Sequence, residues 1–261
     1  VSGGTVEPES GHEGVGMAFA SIRNWGIEHA VFVGATAATV YGAVTGRERV
    51  QQAAKPLMAP ALAVRVLRRR GDLDTADATL LVAGLAAATV GDVFMIDPDV
   101  DARLRRGATS FGVMQMSYSS LLTRRGARPR LAAALPRLGA WLGVSGLLRA
   151  KAPAVAQTLT GYGALLGTTA TLAADPALAP GAADIAGLPM PNRRDRRSWL
   201  GLGGLLFTGS DGLIVMRKLF LRGEKPRAAA EGVILASYAA AQLLLVEGML
   251  ALGHRAKAQR L

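Results

Sequence analysis

Residues 229–252 read AAEGVILASYAAAQLLLVEGMLAL. Glu231 and Glu247 carry the charges of this stretch, and no polar face recurs at the helical period. A helix that is apolar on every side belongs inside a large protein or inside a bilayer. Its 24 residues exceed the roughly 20 that a helix needs to cross the hydrocarbon core. Seven more apolar segments precede it, at about 27–45, 53–67, 76–96, 107–123, 131–149, 154–174 and 199–217. Those at 76–96 and 154–174 are equally short of a polar face. A soluble bundle would need such a face on each helix, so the pattern predicts an all-α, polytopic integral membrane protein. The expected architecture is eight transmembrane helices, both termini on one side, and no β-sheet.

Composition agrees. Of the 261 residues half are hydrophobic, 19% are charged and the mean hydropathy is +0.27, where a soluble domain carries about a quarter charged residues. The net charge is +11, and 25 of the 30 basic residues are arginines placed almost entirely between the apolar runs. They read as basic membrane loops, not as a nucleic-acid surface. Cysteine is absent, which excludes disulfides, a thiol nucleophile and Cys-based metal sites. The histidines are His12, His29 and His254, too scattered for a multi-His centre inside the apolar body. No metal and no cofactor are expected.

Residues 1–15 read as a mobile Gly- and Glu-rich tail without the basic start of a signal peptide. Residues 16–252 read as a single transmembrane domain, and 253–261 as a basic C-terminal tail. The longest connection, about 175–198, has room for a short interfacial helix. With eight spans, the side holding the termini carries 16 Lys and Arg against 13 on the other. The positive-inside rule then leans towards cytoplasmic termini. The wealth of Ala, Gly and Arg suggests a GC-rich bacterial genome and hence a bacterial plasma membrane.

Polar groups within a membrane segment are costly and mark a functional site by default. Successive helices alternate in direction, so position along a segment converts to depth. Asp92 and Asp211 lie towards the C-terminal ends of odd-numbered segments. Lys55, Gln115, Tyr118, Tyr238 and Gln242 lie in the first halves or middles of even-numbered ones. All seven fall in the membrane half opposite the termini, which predicts one polar pocket sealed by apolar packing on the terminal side. Plainer readings stand beside this. Asp92 is near enough to a helix end to be solvated, and Asp211 is a candidate ion pair with Lys55. Lys55 alone reads as a lysine reaching to the interface. The tyrosines suit packing, and the glutamines suit interhelical hydrogen bonds. Glu231 and Glu247 read as interfacial, and Arg65 and Arg137 as reaching to water on the terminal side. A short internal echo, Thr89-x-Gly91-Asp92 and Thr208-x-Ser210-Asp211, relates the third segment to the seventh.

In this order the landmarks resemble the YhhN family of lysoplasmalogenase-like membrane proteins. The matching stretches are Lys55-Pro56, Gly91-Asp92, Gly107-x3-Phe111-x3-Gln115-x2-Tyr118, and the block from Gly204-Leu-Leu-Phe-Thr-Gly-Ser-Asp211 through Tyr238-x3-Gln242. The resemblance covers about residues 30–252. It implies a membrane hydrolase of the vinyl-ether bond of lysophospholipid-type substrates, releasing a fatty aldehyde and a glycerophospho-alcohol. Asp92 and Asp211 would then carry acid–base catalysis, and Lys55 would hold the substrate phosphate. Gln115, Tyr118, Ser210, Tyr238 and Gln242 would line the substrate site. One departure stands out: the family often has His where this chain has Gln115, and glutamine transfers no proton at neutral pH. That departure favours the alternative of a non-catalytic scaffold or lipid-binding subunit of a larger membrane complex. A small transporter fits a one-sided pocket too, but the chain shows no full-length inverted repeat. Membrane lipids are the expected partners; a homo-oligomer or another membrane chain stays open.

Overall fold

The computed structural model describes residues 26–185 and 188–258. Each of the eight apolar segments is helical. The first is α1 (Ile27–Thr45). It stops at Gly46, whose left-handed φ of 68° lets its N–H cap the carbonyl of Gly42. The second segment is two helices in line, α2 (Glu48–Ala54) and α3 (Met58–Arg68), joined by a 3-10 turn at Lys55–Leu57. Pro56 lacks the N–H an α-helical bond needs, so the path tightens there without ending. The rest are α4 (Thr75–Phe94), α5 (Asp101–Arg124), α6 (Leu131–Lys151), α7 (Pro153–Ala173), α8 (Trp199–Phe220) and α9 (Glu224–Ala258). Asp74 starts α4 by accepting the Ala76 N–H at 2.9 Å. α9 runs past residue 252, where the sequence pattern ends the domain.

Among the described residues, five stretches are long and apolar enough to cross a bilayer: Ile27–Thr45, Thr75–Phe94, Leu131–Lys151, Arg196–Phe220 and Glu224–Gly253. The other rods are less apolar. α5 opens with Asp101, Arg103, Arg105 and Arg106, and α7 carries Gln157 and several threonines. Large apolar side chains such as Val33, Leu67, Val93, Met116, Leu142 and Met216 point outward, as a lipid-facing surface requires. α9, apolar all round, is the most buried of the five.

Two features depart from the expectation. The connection after α7 holds 3-10 turns at Pro176–Leu178 and Arg196–Ser198, not an interfacial helix. It also carries a minimal antiparallel pair, β1 (Asp184–Ile185) with β2 (Leu188–Pro189), where no β-structure was expected. Pro176, Pro180, Pro189, Pro191 and Gly181 (φ 83°) deny this stretch a helical run.

Ion pairs fix the two faces of the bundle. On the face where α1 begins and α9 ends, Asp77 takes Arg124 and Arg125, and Asp175 takes Arg130. Deeper on that side Glu247 accepts from Arg65 Nε at 2.9 Å, lies 3.1 Å from His29 Nε2 and pairs with Arg196. Glu28 is 3.4 Å from Arg65 and 2.8 Å from Arg68. Arg65 and Glu247 are therefore buried and paired, not reaching for water: α1, α3 and α9 turn opposite charges towards one another, and pairing offsets their desolvation. On the other face Asp99 takes Arg217 at 3.2 Å and Arg227 at 2.6 Å, Lys218 meets Asp101 at 2.8 Å, and Glu231 lies 3.4 Å from Arg217. Burial pushes the Asp99 carboxyl up, but the hydrogen bonds and charges of Arg227 and Arg217 outweigh it and hold it below the usual carboxylate range.

Candidate functional site

A cavity of about 240 Å³ lies between α6 and α8, walled behind by α4, α5, α7 and α9. It is mostly apolar. An edge-to-face cluster of Phe111, Phe207 and Tyr238, with ring centroids 5.6–6.4 Å apart, packs its inner wall. Lys55, Asp92, Ser210, Asp211 and Tyr238 all line it. Asp92 is buried beside Lys55 and accepts the Tyr238 hydroxyl at 3.0 Å. Asp211, on α8, accepts the hydroxyl of Tyr162 from α7. Gly91 makes the Asp92 wall possible. A Cβ there would stand 2.8 Å from the Phe111 ring, so only glycine lets α5 come this close.

Lys55 is buried, and its ammonium donates to the Met95 carbonyl at 2.6 Å. It does not reach the interface. Ser210 faces the cavity, yet its hydroxyl donates to the Ile234 carbonyl at 3.3 Å and ties α8 to α9. Gln115, Tyr118 and Gln242 do not line the cavity. The Tyr118 hydroxyl donates to Gln242 Oε1 at 3.0 Å, and Gln242 Nε2 donates to the Tyr238 hydroxyl at 3.2 Å. With the Tyr238–Asp92 bond this is a buried file of four polar groups leading from behind the wall to Asp92. Gln115 is fully buried, turned towards Tyr162, and its carboxamide makes no hydrogen bond of normal geometry.

Nor is the cavity sealed by apolar packing on the terminal side. It continues along α6 as far as Arg137, through Trp141 and Ser145. Residues 137, 141, 145 and 148 share one helix face, and that face looks into the cavity. Among the described residues no group of three or more His, Cys, Asp or Glu is placed to hold a metal.

The pattern of the YhhN family matches residues 50–249. The chain belongs to the YhhN family. No curated protein and no solved structure matches it. Within the matched span of this YhhN protein lie both cavity aspartates, Lys55, and the whole Tyr118–Gln242–Tyr238 file.

Three cavity residues of the YhhN chain escaped the sequence reading: Tyr162, Trp141 and Arg137. Tyr162 sits among Gly and Thr in α7, a segment with no charge to draw attention. Its signal is the shortage of tyrosines: the chain has four, and three of them, Tyr118, Tyr162 and Tyr238, hydrogen-bond to side chains of the polar residues singled out within the apolar segments. Depth along the segment alone places Arg137 on the water side. Depth ignores the rotation of α6, which turns Arg137 inward.

Proposed function

We propose that this YhhN-family protein is a membrane hydrolase that cleaves the vinyl-ether bond of lysoplasmalogen-type lipids, with all eight helical rods crossing the bilayer of a bacterial cell and both termini in the cytoplasm. The observation that carries the reading is the pair of aspartates, each holding a tyrosine hydroxyl, that line one largely apolar cavity from different helices. A single-chain lipid suits such a space, and the chemistry suits the two carboxyls.

Cleavage adds water across the ether. A proton goes to the vinyl carbon remote from oxygen, leaving an oxocarbenium ion on the carbon bonded to oxygen. Water adds to that carbon and loses a proton, and the hemiacetal collapses to a fatty aldehyde and the glycerophospho-alcohol. One carboxylic acid supplies the first proton, and one carboxylate faces the cation and takes the proton from water. An ammonium pairs with an anion, so Asp92, beside Lys55, takes the carboxylate role. Asp211 meets a neutral hydroxyl and takes the acid role. Lys55 thereby holds the charge of Asp92 in place.

The test is aldehyde release from a lysoplasmalogen by the purified protein in lipid nanodiscs. Asp92→Asn and Asp211→Asn should each lower turnover by ~10²–10⁴ while eluting as the same monodisperse particle. Wild-type rates in both variants would remove the aspartates from the chemistry. A wild type that releases no aldehyde from any lysoplasmalogen would favour the scaffold reading, for which Gln115 in place of the family histidine already speaks.

A further inference from the structure

We propose that Arg137, not Lys55, receives the phosphate of the lipid. The location of the scissile bond rests on the hydrolase reading; the phosphate contact does not. Two cations line the cavity, Lys55 and Arg137. Lys55 is buried, and its ammonium is committed to the Met95 carbonyl at 2.6 Å. Arg137 is half-buried, and its hydrogen bond goes to the Ala133 carbonyl of its own helix at 2.6 Å. That carbonyl lies beside one left open by Pro136, which has no N–H to give. No described carboxylate lies within ion-pair distance of Arg137. A guanidinium has five N–H donors in a planar fork, and here most of them remain free to face the cavity. An unpaired charge at this depth is costly, and an anion entering beside it removes that cost.

The approach is open. α6 packs mainly on α7 and meets α8 at its far end, where Lys151 sits 4.7 Å over the Phe220 ring. Ala140 and Val144 line the cavity and are exposed as well, so the gap between α6 and α8 opens to the side. A lipid can enter from the bilayer without leaving it.

The register also fits. Trp141 is one helical turn beyond Arg137, about 6 Å along the axis. Its indole N–H donates to the Thr160 carbonyl at 2.9 Å, which sets α6 at the level of Tyr162, the partner of Asp211. The glycerol backbone between a phosphate and the ether oxygen on its first carbon spans about that turn. A phosphate on Arg137 therefore brings the ether to the Tyr162–Asp211 wall.

Binding, measured by calorimetry on the full chain in nanodiscs, tests this. The probes are a saturated 1-O-alkyl lysophospholipid and the 1-O-alkylglycerol of the same chain length; neither has a vinyl ether to cleave. Wild type should prefer the phosphorylated probe by about 10- to 100-fold. Arg137→Gln should erase the preference while holding the alkylglycerol at its wild-type affinity, and Arg137→Lys should restore part of it, since a point charge replaces a bidentate fork. Lys55→Gln should keep the preference. An unchanged preference in Arg137→Gln, its loss in Lys55→Gln, or no preference in wild type would each overturn the proposal. Because the probes are inert, a protein that makes no aldehyde but shows the Arg137-dependent preference would sink the hydrolase reading and leave this one standing.

Discussion

Glu247 offers a test of what holds the bundle together as distinct from what it does. Its carboxylate is 4% exposed and holds Arg65, itself 8% exposed, together with His29 and Arg196. Glu247→Leu leaves Arg65 buried with Glu28 at 3.4 Å as its remaining carboxylate. Removing one member of a buried pair costs ~3–5 kcal/mol, because the other charge stays desolvated. At ~2–4 °C per kcal/mol for a chain of this size, the midpoint of thermal unfolding in detergent should fall by roughly 6–20 °C. Glu247→Gln, which keeps the shape and loses the charge, should fall less. Arg68→Ala is the control. Arg68 is 58% exposed, and its buried partner Glu28 keeps Arg65 at 3.4 Å when it is removed, so the loss should be smaller than that of Glu247→Leu. Replacing both partners, Arg65→Met with Glu247→Leu, should recover part of the loss, because the buried arginine is gone and Arg196, which also loses Glu247, is 30% exposed. Glu247 does not line the cavity, so aldehyde release at a temperature where the variant is folded should match wild type. A Glu247→Leu midpoint within 2 °C of wild type, against the ~6 °C minimum worked above, would refute the clamp. So would lost turnover at an unchanged midpoint, which would move Glu247 into the chemistry.

Other outcomes follow from single contacts. Tyr162→Phe and Tyr238→Phe each strip a hydroxyl from one aspartate, and each should lower the rate of aldehyde release by about 10- to 100-fold; Tyr238→Phe also leaves buried Asp92 and Gln242 short of a partner and should cost ~1–3 kcal/mol of stability. Gly84→Leu should destabilise by ~1–3 kcal/mol, since a Cβ there would lie 2.8 Å from the Tyr118 ring. Gly143→Leu, where nothing stands within 4 Å, should leave the midpoint unchanged. Asp99 gives a pH dependence. Its folded carboxyl titrates below the unfolded value of about 3.9, so its contribution is full above that value and is lost as pH falls through the folded one. Melting temperature should drop below about pH 4 in wild type, and Asp99→Asn should start lower and show a shallower drop.

The helical segments were legible because a backbone in hydrocarbon must satisfy its own hydrogen bonds, leaving long apolar helices as the one form such runs can take. Boundaries softened where polar chemistry intervened: at Pro56, which turns one segment into α2 and α3, and in the proline-rich 174–198 stretch, which carries a short antiparallel pair. Depth was legible too. Lys55, Asp92, Ser210, Asp211 and Tyr238 were picked out by residue type and place along the helix, and they face one cavity. Azimuth was not. Gln242 lies one turn from Tyr238 on α9, and Gln115 and Tyr118 lie one and two turns beyond the cavity residue Phe111 on α5, yet none of the three lines the cavity. Arg137 points into the cavity from a helix whose sequence shows no preferred face.

What sets azimuth is the size of the residue opposite. Gly84 on α4 admits the Tyr118 ring, and once that ring is seated its hydroxyl can reach only inward, to Gln242. Gly91, two turns on, admits Phe111, and Phe111 packs edge-to-face on Tyr238 and holds it over Asp92. Glycines two turns apart on one helix thus aim a tyrosine from each of two others. The Thr-x-small-Asp echo acquires a physical sense from this. Thr89 and Thr208 both fold back on the carbonyl four residues earlier, at 2.9 Å. Each aspartate then meets a tyrosine from a helix that does not follow it in sequence: α9 serves Asp92 on α4, and α7 serves Asp211 on α8. The two partnerships differ in reach. Tyr162 and Asp211 come from α7 and α8, consecutive in the chain, and can meet as soon as those two helices pair. Tyr238 and Asp92 meet only when α9 has closed on α4, so the environment of the second carboxyl, and with it the cavity, is completed by the closed bundle and not by any one hairpin of it.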